Sequence, residues 1–204
     1  ITKYIDMPLQ HINDRMLKRM HRLGNRAAIE KLVERIRTRI PGVTFRTAFI
    51  VGFPGETEKA YQELKSYVTE SGFDRVAAFL YSDEEDTTAR SLDDKIERSV
   101  MEERRNELLA IQEGIASGLG QDRIGSILEV LVEGPSEETP LLLEGRHEGL
   151  APEIDGVVYI SDEPDLLTRP PRARRDAPRP APGDLVKVEI TDAATYDLVG
   201  YIVS

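Results

Sequence analysis

Three runs in the first half of the chain end an apolar stretch on residues suited to holding a small ligand. They are Y-I-D-M-P-L-Q-H at 4–11, R-T-A-F-I-V-G-F-P-G-E-T at 46–57 and V-A-A-F-L-Y-S-D-E-E-D-T-T-A at 76–89. In the middle run Phe49, Ile50 and Val51 suit a buried parallel strand, while Gly52 and Gly55 let the backbone approach a ligand closely. Thr57 is placed to cap the next helix, with Glu58 near its positive end. Taken alone, this punctuation serves packing in many α/β proteins; it gains meaning from the other two strand ends.

The chemistry open to these residues is binding rather than catalysis. Glu56 orders the turn, and the neighbours Glu84 and Glu85 point apart, so no acid/base dyad is assigned. The chain has no cysteine, which removes disulfides, thiol nucleophiles and thiolate metal sites together. His11, His21 and His147 lack an H-x-x-x-H spacing, so no metal ligand is assigned either. His11 either contacts a ligand or is satisfied by the backbone at the end of its strand; His21 reads as a solvent residue and His147 as a loop residue.

The elements that would position these runs follow from periodicity. Tyr4 to Leu9 reads as a strand, and Asn13 or Asp14 caps a helix that Gly24 stops, with Met16, Leu17, Met20 and Leu23 on one face. A second helix starts at Asn25 and ends at Pro41-Gly42. Val43 to Val51 is the next strand, followed by a helix over 58–71 closed by Gly72. Val76 to Tyr81 is a third strand, and a helix over 98–117 follows. Alternating strands and helices imply a parallel sheet, in which ligands collect at the C-terminal strand ends. Beyond Gly118 five short strands, 127–132, 141–143, 157–160, 185–190 and 197–202, imply a small β-barrel. The proline- and arginine-rich run Arg169 to Pro182 reads as a loop, or as a basic arm for RNA.

With 204 residues there is room for one large or two modest domains. No run approaches the roughly 20 apolar residues that span a bilayer, and the first residues do not form a signal peptide, so no membrane partner and a cytoplasmic location are expected. The net charge of −10 is uneven: residues 121–204 hold 17 acidic and eight basic side chains, a net of −9. Such a surface repels phosphate backbones and attracts basic partners.

Taken in this order, the three strand ends resemble the methylthiotransferases of the radical S-adenosylmethionine class. G-R at 145–146, A-P-E-I-D-G at 151–156 and Y-D-L-V-G at 196–200 resemble that family's TRAM domain. Within the class, D-M-P-L-Q-H followed by N-D-R-M-L-K-R-M resembles the RimO branch, which adds a methylthio group to the β-carbon of an aspartate in small-subunit ribosomal protein S-twelve. The branch that modifies tRNA adenosine carries Q-S-G-S in place of Q-H.

The resemblance implies an α/β fold: the second half of a radical-SAM, partial TIM-like barrel over 1–97, a linking helix over 98–120, and a TRAM-like β-barrel over 121–204. It implies S-adenosylmethionine as cofactor, with Gln10 at the ribose or amino-acid part, Ile50 and Val51 against adenine, the backbone of Gly52 and Gly55 close by, and Tyr81 and Ser82 at the third strand end. Arg46 either pairs with the cofactor carboxylate or is an exposed surface charge. The family also uses two 4Fe-4S clusters whose cysteines are absent here, so the chain resembles a C-terminal portion that is inactive without its N-terminal half. The acidic barrel then suits the basic protein S-twelve as partner and disfavours RNA. Two other readings are a tRNA methylthiotransferase and a non-catalytic module that docks a ribosomal protein or RNA.

Three positions depart from the family pattern. Asp86 and Ala48 stand where glycine is usual, and Leu150 replaces an aspartate at an edge expected to face the partner. A half-barrel is also expected to expose strand edges and apolar interior.

Overall fold

The computed structural model describes residues 2–85, 87–161 and 179–203. Asp86 and most of the Arg169 to Pro182 run lie outside them. The chain is mixed α/β with a closed five-stranded barrel. It divides into two compact units, one of them Ile5–Ile115, the other built chiefly from Ala116 onward. Among the described residues no helix is long and apolar enough to cross a membrane.

The first unit holds a three-stranded sheet in the order β1 (Tyr4–Asp6), β2 (Thr44–Val51), β3 (Arg75–Leu80). Strands β2 and β3 run parallel, with Arg46 opposite Arg75, Ala48 opposite Ala77 and Ile50 opposite Phe79. Because side chains alternate along a strand, β2 has two distinct faces. Phe45, Phe49 and Val51 are fully buried among Leu64, Val68, Phe73 and Leu108. Arg46, Ala48 and Ile50 occupy the other face and are only half-buried.

Helices α1 (Asp14–Arg19), α2 (Arg26–Arg39) and α3 (Glu58–Ser71) start where the sequence places them, on Asn13, Asn25 and Thr57. Each cap side chain accepts a backbone N–H in the first turn, from Met16, Ala28 and Ala60 respectively. Gly72 closes α3 in the left-handed conformation, φ 54°.

Several boundaries differ from expectation. Strand β1 stops at Asp6 rather than Leu9, since Pro8 has no N–H to continue a ladder. Helix α1 ends at Arg19, five residues before Gly24, because His21 turns left-handed at φ 53°. Leu23, placed on the apolar face of that helix by periodicity, is fully exposed. Helix α4 (Arg98–Gln121) runs on past Ser117 through Gly118 and Gly120.

The second unit closes five strands, β4 (Ile127–Pro135), β5 (Leu143–His147), β6 (Val158–Ser161), β7 (Leu185–Ala193) and β8 (Leu198–Val203), in the order β4-β5-β6-β8-β7. Its interior is aliphatic: Val130, Val132, Val158, Ile160, Val188 and Ile190 are buried together. Gly145 and Gly200 sit where strands approach closely, so that a Cβ on either would lie 2.3 Å from a carbonyl oxygen, of Leu131 and Glu189 respectively. Gly145 opens the G-R run and Gly200 closes the Y-D-L-V-G run, which gives a steric reason for glycine there. Leu150 is buried in the barrel core rather than at a surface edge. His147 is the last residue of β5 and is buried; its Nδ1 accepts the Gly149 N–H at 3.0 Å and its Nε2 lies 3.1 Å from Arg123 Nη1.

Candidate functional site

A cavity of about 380 Å³ opens at the C-terminal end of the parallel sheet. Its lining comes from four places: Gln10 after β1, Arg19 to Arg22 at and just beyond the end of α1, Ile50 and Phe53 at the end of β2, and Thr87 to Ala89 in the third strand-end loop. The volume falls in the range of small-molecule sites, about 300–1,000 Å³. Gln10 joins the sheet as an isolated parallel bridge opposite Phe49, donating its N–H to Ala48 O and accepting from Ile50 N, both at 2.9 Å. It holds φ 69°, and His21 holds 53°, so two of the four left-handed non-glycine residues among those described line this one cavity. Such conformations are sparsely populated and cluster at functional sites.

The turn that ends β2 is held from behind by a buried polar network. Glu56 is 2% exposed. Its Oε2 accepts the Gly52 N–H at 2.8 Å and Arg104 Nη1 at 2.6 Å, while its Oε1 lies 3.1 Å from His11 Nε2. His11 Nδ1 accepts the N–H groups of Ile12 and Asn13 at 2.9 and 3.0 Å, so the ring carries its proton on Nε2 and donates it to Glu56. One carboxylate thus ties the loops after β1 and β2 to α4. Arg104 also reaches Glu58 Oε2 at 3.0 Å and stacks 5.0 Å above the Tyr61 ring. Burial, and then the Glu107 carboxylate that accepts its O–H at 2.6 Å, holds the Tyr61 phenol far above its ordinary range.

The predicted ligand residues take different places. Gln10 and Ile50 meet in the cavity. Val51 does not share that face: adjacent strand residues alternate, and its side chain lies in the helix-packed core. Gly52 and Gly55 both hold φ near +80°, but the space a Cβ would occupy is filled from within the protein. At Gly52 it would fall 2.3 Å from Met101 Cγ, and at Gly55 3.0 Å from the Arg19 guanidinium. Arg46, early in β2, pairs with Asp6 at 3.5 Å and is not part of the lining. Tyr81 packs edge-on against Phe53 at 5.1 Å and donates to Asp83 Oδ1 at 2.7 Å. Ser82 is exposed and donates to Glu84.

Sequence reasoning assigned no role to Arg19, Arg22, Phe53 or Arg104. The last carried a signal: Met101, Arg104, Leu108 and Ile111 recur at helical spacing, so an arginine stands on an otherwise apolar stripe and needs a buried partner.

An α/β unit with a ligand-sized cavity at its strand ends, followed in sequence by a closed β-barrel, defines the class of protein. Residues 124–203 match the TRAM domain family. The whole chain is similar to proteins named ribosomal protein uS12 methylthiotransferase RimO. The identity is 46% over 204 residues to that of an Anaeromyxobacter species, covering 100% of this chain and 40% of the relative. It is 45% over 203 residues to that of Bdellovibrio bacteriovorus, covering 100% and 41%, and 43% over 200 residues to that of Aquifex aeolicus, covering 98% and 43%. The chain spans about two fifths of the length of these curated relatives. The resemblance to RimO-type methylthiotransferases read from the strand ends therefore extends over the full chain.

Proposed function

We propose that this chain is the C-terminal portion of a RimO-type methylthiotransferase acting on an aspartate of ribosomal protein S-twelve, that its α/β unit is the end of a radical-SAM barrel, and that the strand-end cavity holds S-adenosylmethionine. One observation carries the reading: Gln10 and Ile50, singled out from the sequence, line one cavity in a chain similar throughout to uS12 methylthiotransferases. The lining fits the cofactor. Ile50 and Phe53 offer an apolar wall for adenine, the Gln10 amide and the hydroxyls of Thr87 and Thr88 suit a ribose, and arginines stand at the mouth. The sulfonium supplies the radical chemistry when it is bound and reduced; the residues here bind it, orient it and exclude water.

The iron–sulfur clusters do not fit these residues. The chain has no cysteine, and among the described residues no group of three or more His, Asp or Glu converges to hold a metal ion. Their ligands belong to the N-terminal half. The barrel supports a basic protein partner over nucleic acid: Glu129, Glu133, Glu137, Glu138 and Glu148 are exposed, and Arg146 is neutralised by Glu133. Modification of a ribosomal protein places the reaction in the cytoplasm.

Deleting the gene is expected to remove the methylthio group from the S-twelve aspartate, read by mass spectrometry of ribosomal proteins. A retained modification, or a loss confined to tRNA adenosine, overturns the reading. Restoring the gene with Ile50→Asp is expected to leave the aspartate unmodified, because a carboxylate would replace the apolar cavity wall.

A further inference from the structure

The cavity carries three basic side chains in its lining. Arg19, His21 and Arg22 all line it, and among the described residues no acidic one does, although the chain carries 37 acidic against 27 basic side chains. Two of the three are tied to the strand-end loops by neutral partners: Arg19 Nε donates to Pro54 O at 2.9 Å, and Arg22 Nη2 reaches Pro8 O at 3.4 Å. No carboxylate among the described residues pairs with any of the three.

The backbone makes room for this arrangement. The Arg19 guanidinium packs against the turn because Gly55 has no Cβ, which would stand 3.0 Å from it. His21 reaches the mouth by adopting φ 53°, which ends α1 early and swings the following residues outward. Arg19 is half-buried, whereas His21 and Arg22 are exposed. These basic side chains thus form the more exposed part of the lining, a rim, while Ile50 and Phe53 supply its apolar wall. Guanidinium groups bind carboxylates through paired, charge-assisted hydrogen bonds.

We propose that Arg19, His21 and Arg22 form a carboxylate-receiving rim that grips an acidic side chain of an incoming polypeptide segment and holds it over the cavity. This deepens the methylthiotransferase reading, on which it rests for the acidic target. The position favours the polypeptide over the cofactor's own carboxylate, since the two outer members face solvent, where a protein target arrives. The rim is a specificity determinant: it selects aspartate over its neutral amide, an isostere that brings no charge to it.

The test uses this chain with four probes: a short basic peptide with one central aspartate, the same peptide with asparagine, S-adenosylmethionine, and 5′-methylthioadenosine, which lacks the amino-acid part. The wild-type chain is expected to prefer the aspartate peptide. Arg22→Gln is expected to weaken that peptide about tenfold, the scale of one charge-assisted hydrogen bond, without changing the asparagine peptide or either nucleoside. Lys31→Gln, an exposed charge on α2, is expected to change nothing. If Arg22→Gln weakens S-adenosylmethionine alone, the rim serves the cofactor carboxylate and the polypeptide assignment is overturned. Unchanged binding of every probe, or absence of any aspartate preference in the wild-type chain, overturns the rim itself. The cofactor reading is judged separately, by whether methylthioadenosine binds and Ile50→Asp abolishes it.

Discussion

The two units solve the problem of burying a sheet in opposite ways. The barrel closes on itself, its core is aliphatic, and every strand has two neighbours. The α/β unit leaves β1 and β3 as sheet edges and covers one face with helices, while Phe79 on the other face remains 56% exposed. It buries a charged network at the strand ends instead, where Glu56, His11 and Arg104 fix the turn behind the cavity. A closed sheet needs only shape to be specified; an open one that carries a cavity needs its loops pinned by polar groups of fixed direction.

The most severe way to break this contrast is Glu56→Ala. It leaves the Arg104 guanidinium, 6% exposed, without its closest carboxylate, and strands the His11 Nε2–H. Removing one partner of a buried pair costs about 3–5 kcal/mol. The expected outcome in hydrogen exchange is loss of protection in β2 and α3, with the barrel strands unchanged. Equal loss in both units would show that the network does not belong to the α/β unit alone.

The converse experiment is Gly200→Ala. A Cβ there lies 2.3 Å from Glu189 O and 2.6 Å from Val188 Cγ1. Overpacking of this kind costs about 1–3 kcal/mol, and protection should fall in β7 and β8 while α3 keeps its own. Full barrel protection in the variant would mean that the strands separate without penalty and that the glycine is not required by closure.

The contrast also decides what was legible in the sequence. Four of the five barrel strands were visible from alternation and turn residues, and the helix starts from Asn13, Asn25 and Thr57, because these signals are local; the strand expected at 141–143 overlaps β5, Leu143–His147, at one residue only. Glu56 was read as ordering its turn, and its position 48 residues from Arg104 in sequence but 2.6 Å in space makes it in addition the centre of a network. The cavity was half legible. Ile50 could be placed at a strand end, but whether it or Val51 faced the ligand depended on which face the helices cover. His21 was read as a solvent residue, correctly for its exposure, yet its left-handed backbone, which no residue type announces, brings it to the cavity mouth.

Acid sharpens the comparison most gently. Hydrogen bonds from Tyr61 and then Lys65 hold the Glu107 carboxyl below its ordinary value, and those from Gln62 and then Arg104 do the same for Glu58. A carboxyl held low in the folded state favours folding above its unfolded pKa near 4.5, and that contribution is lost as pH falls through the lower folded value. Both groups are substantially exposed and screened by solvent, so the effect is small. Both act between α3 and α4, through Tyr61, Lys65 and Arg104. Hydrogen exchange at pH 6 and again below pH 4 is therefore expected to show α3 and the first turns of α4 losing protection relative to β4 and β7. Parallel loss in the barrel strands would mean that acid acts through the net charge of the whole chain, not through the pairs that fasten α3 to α4.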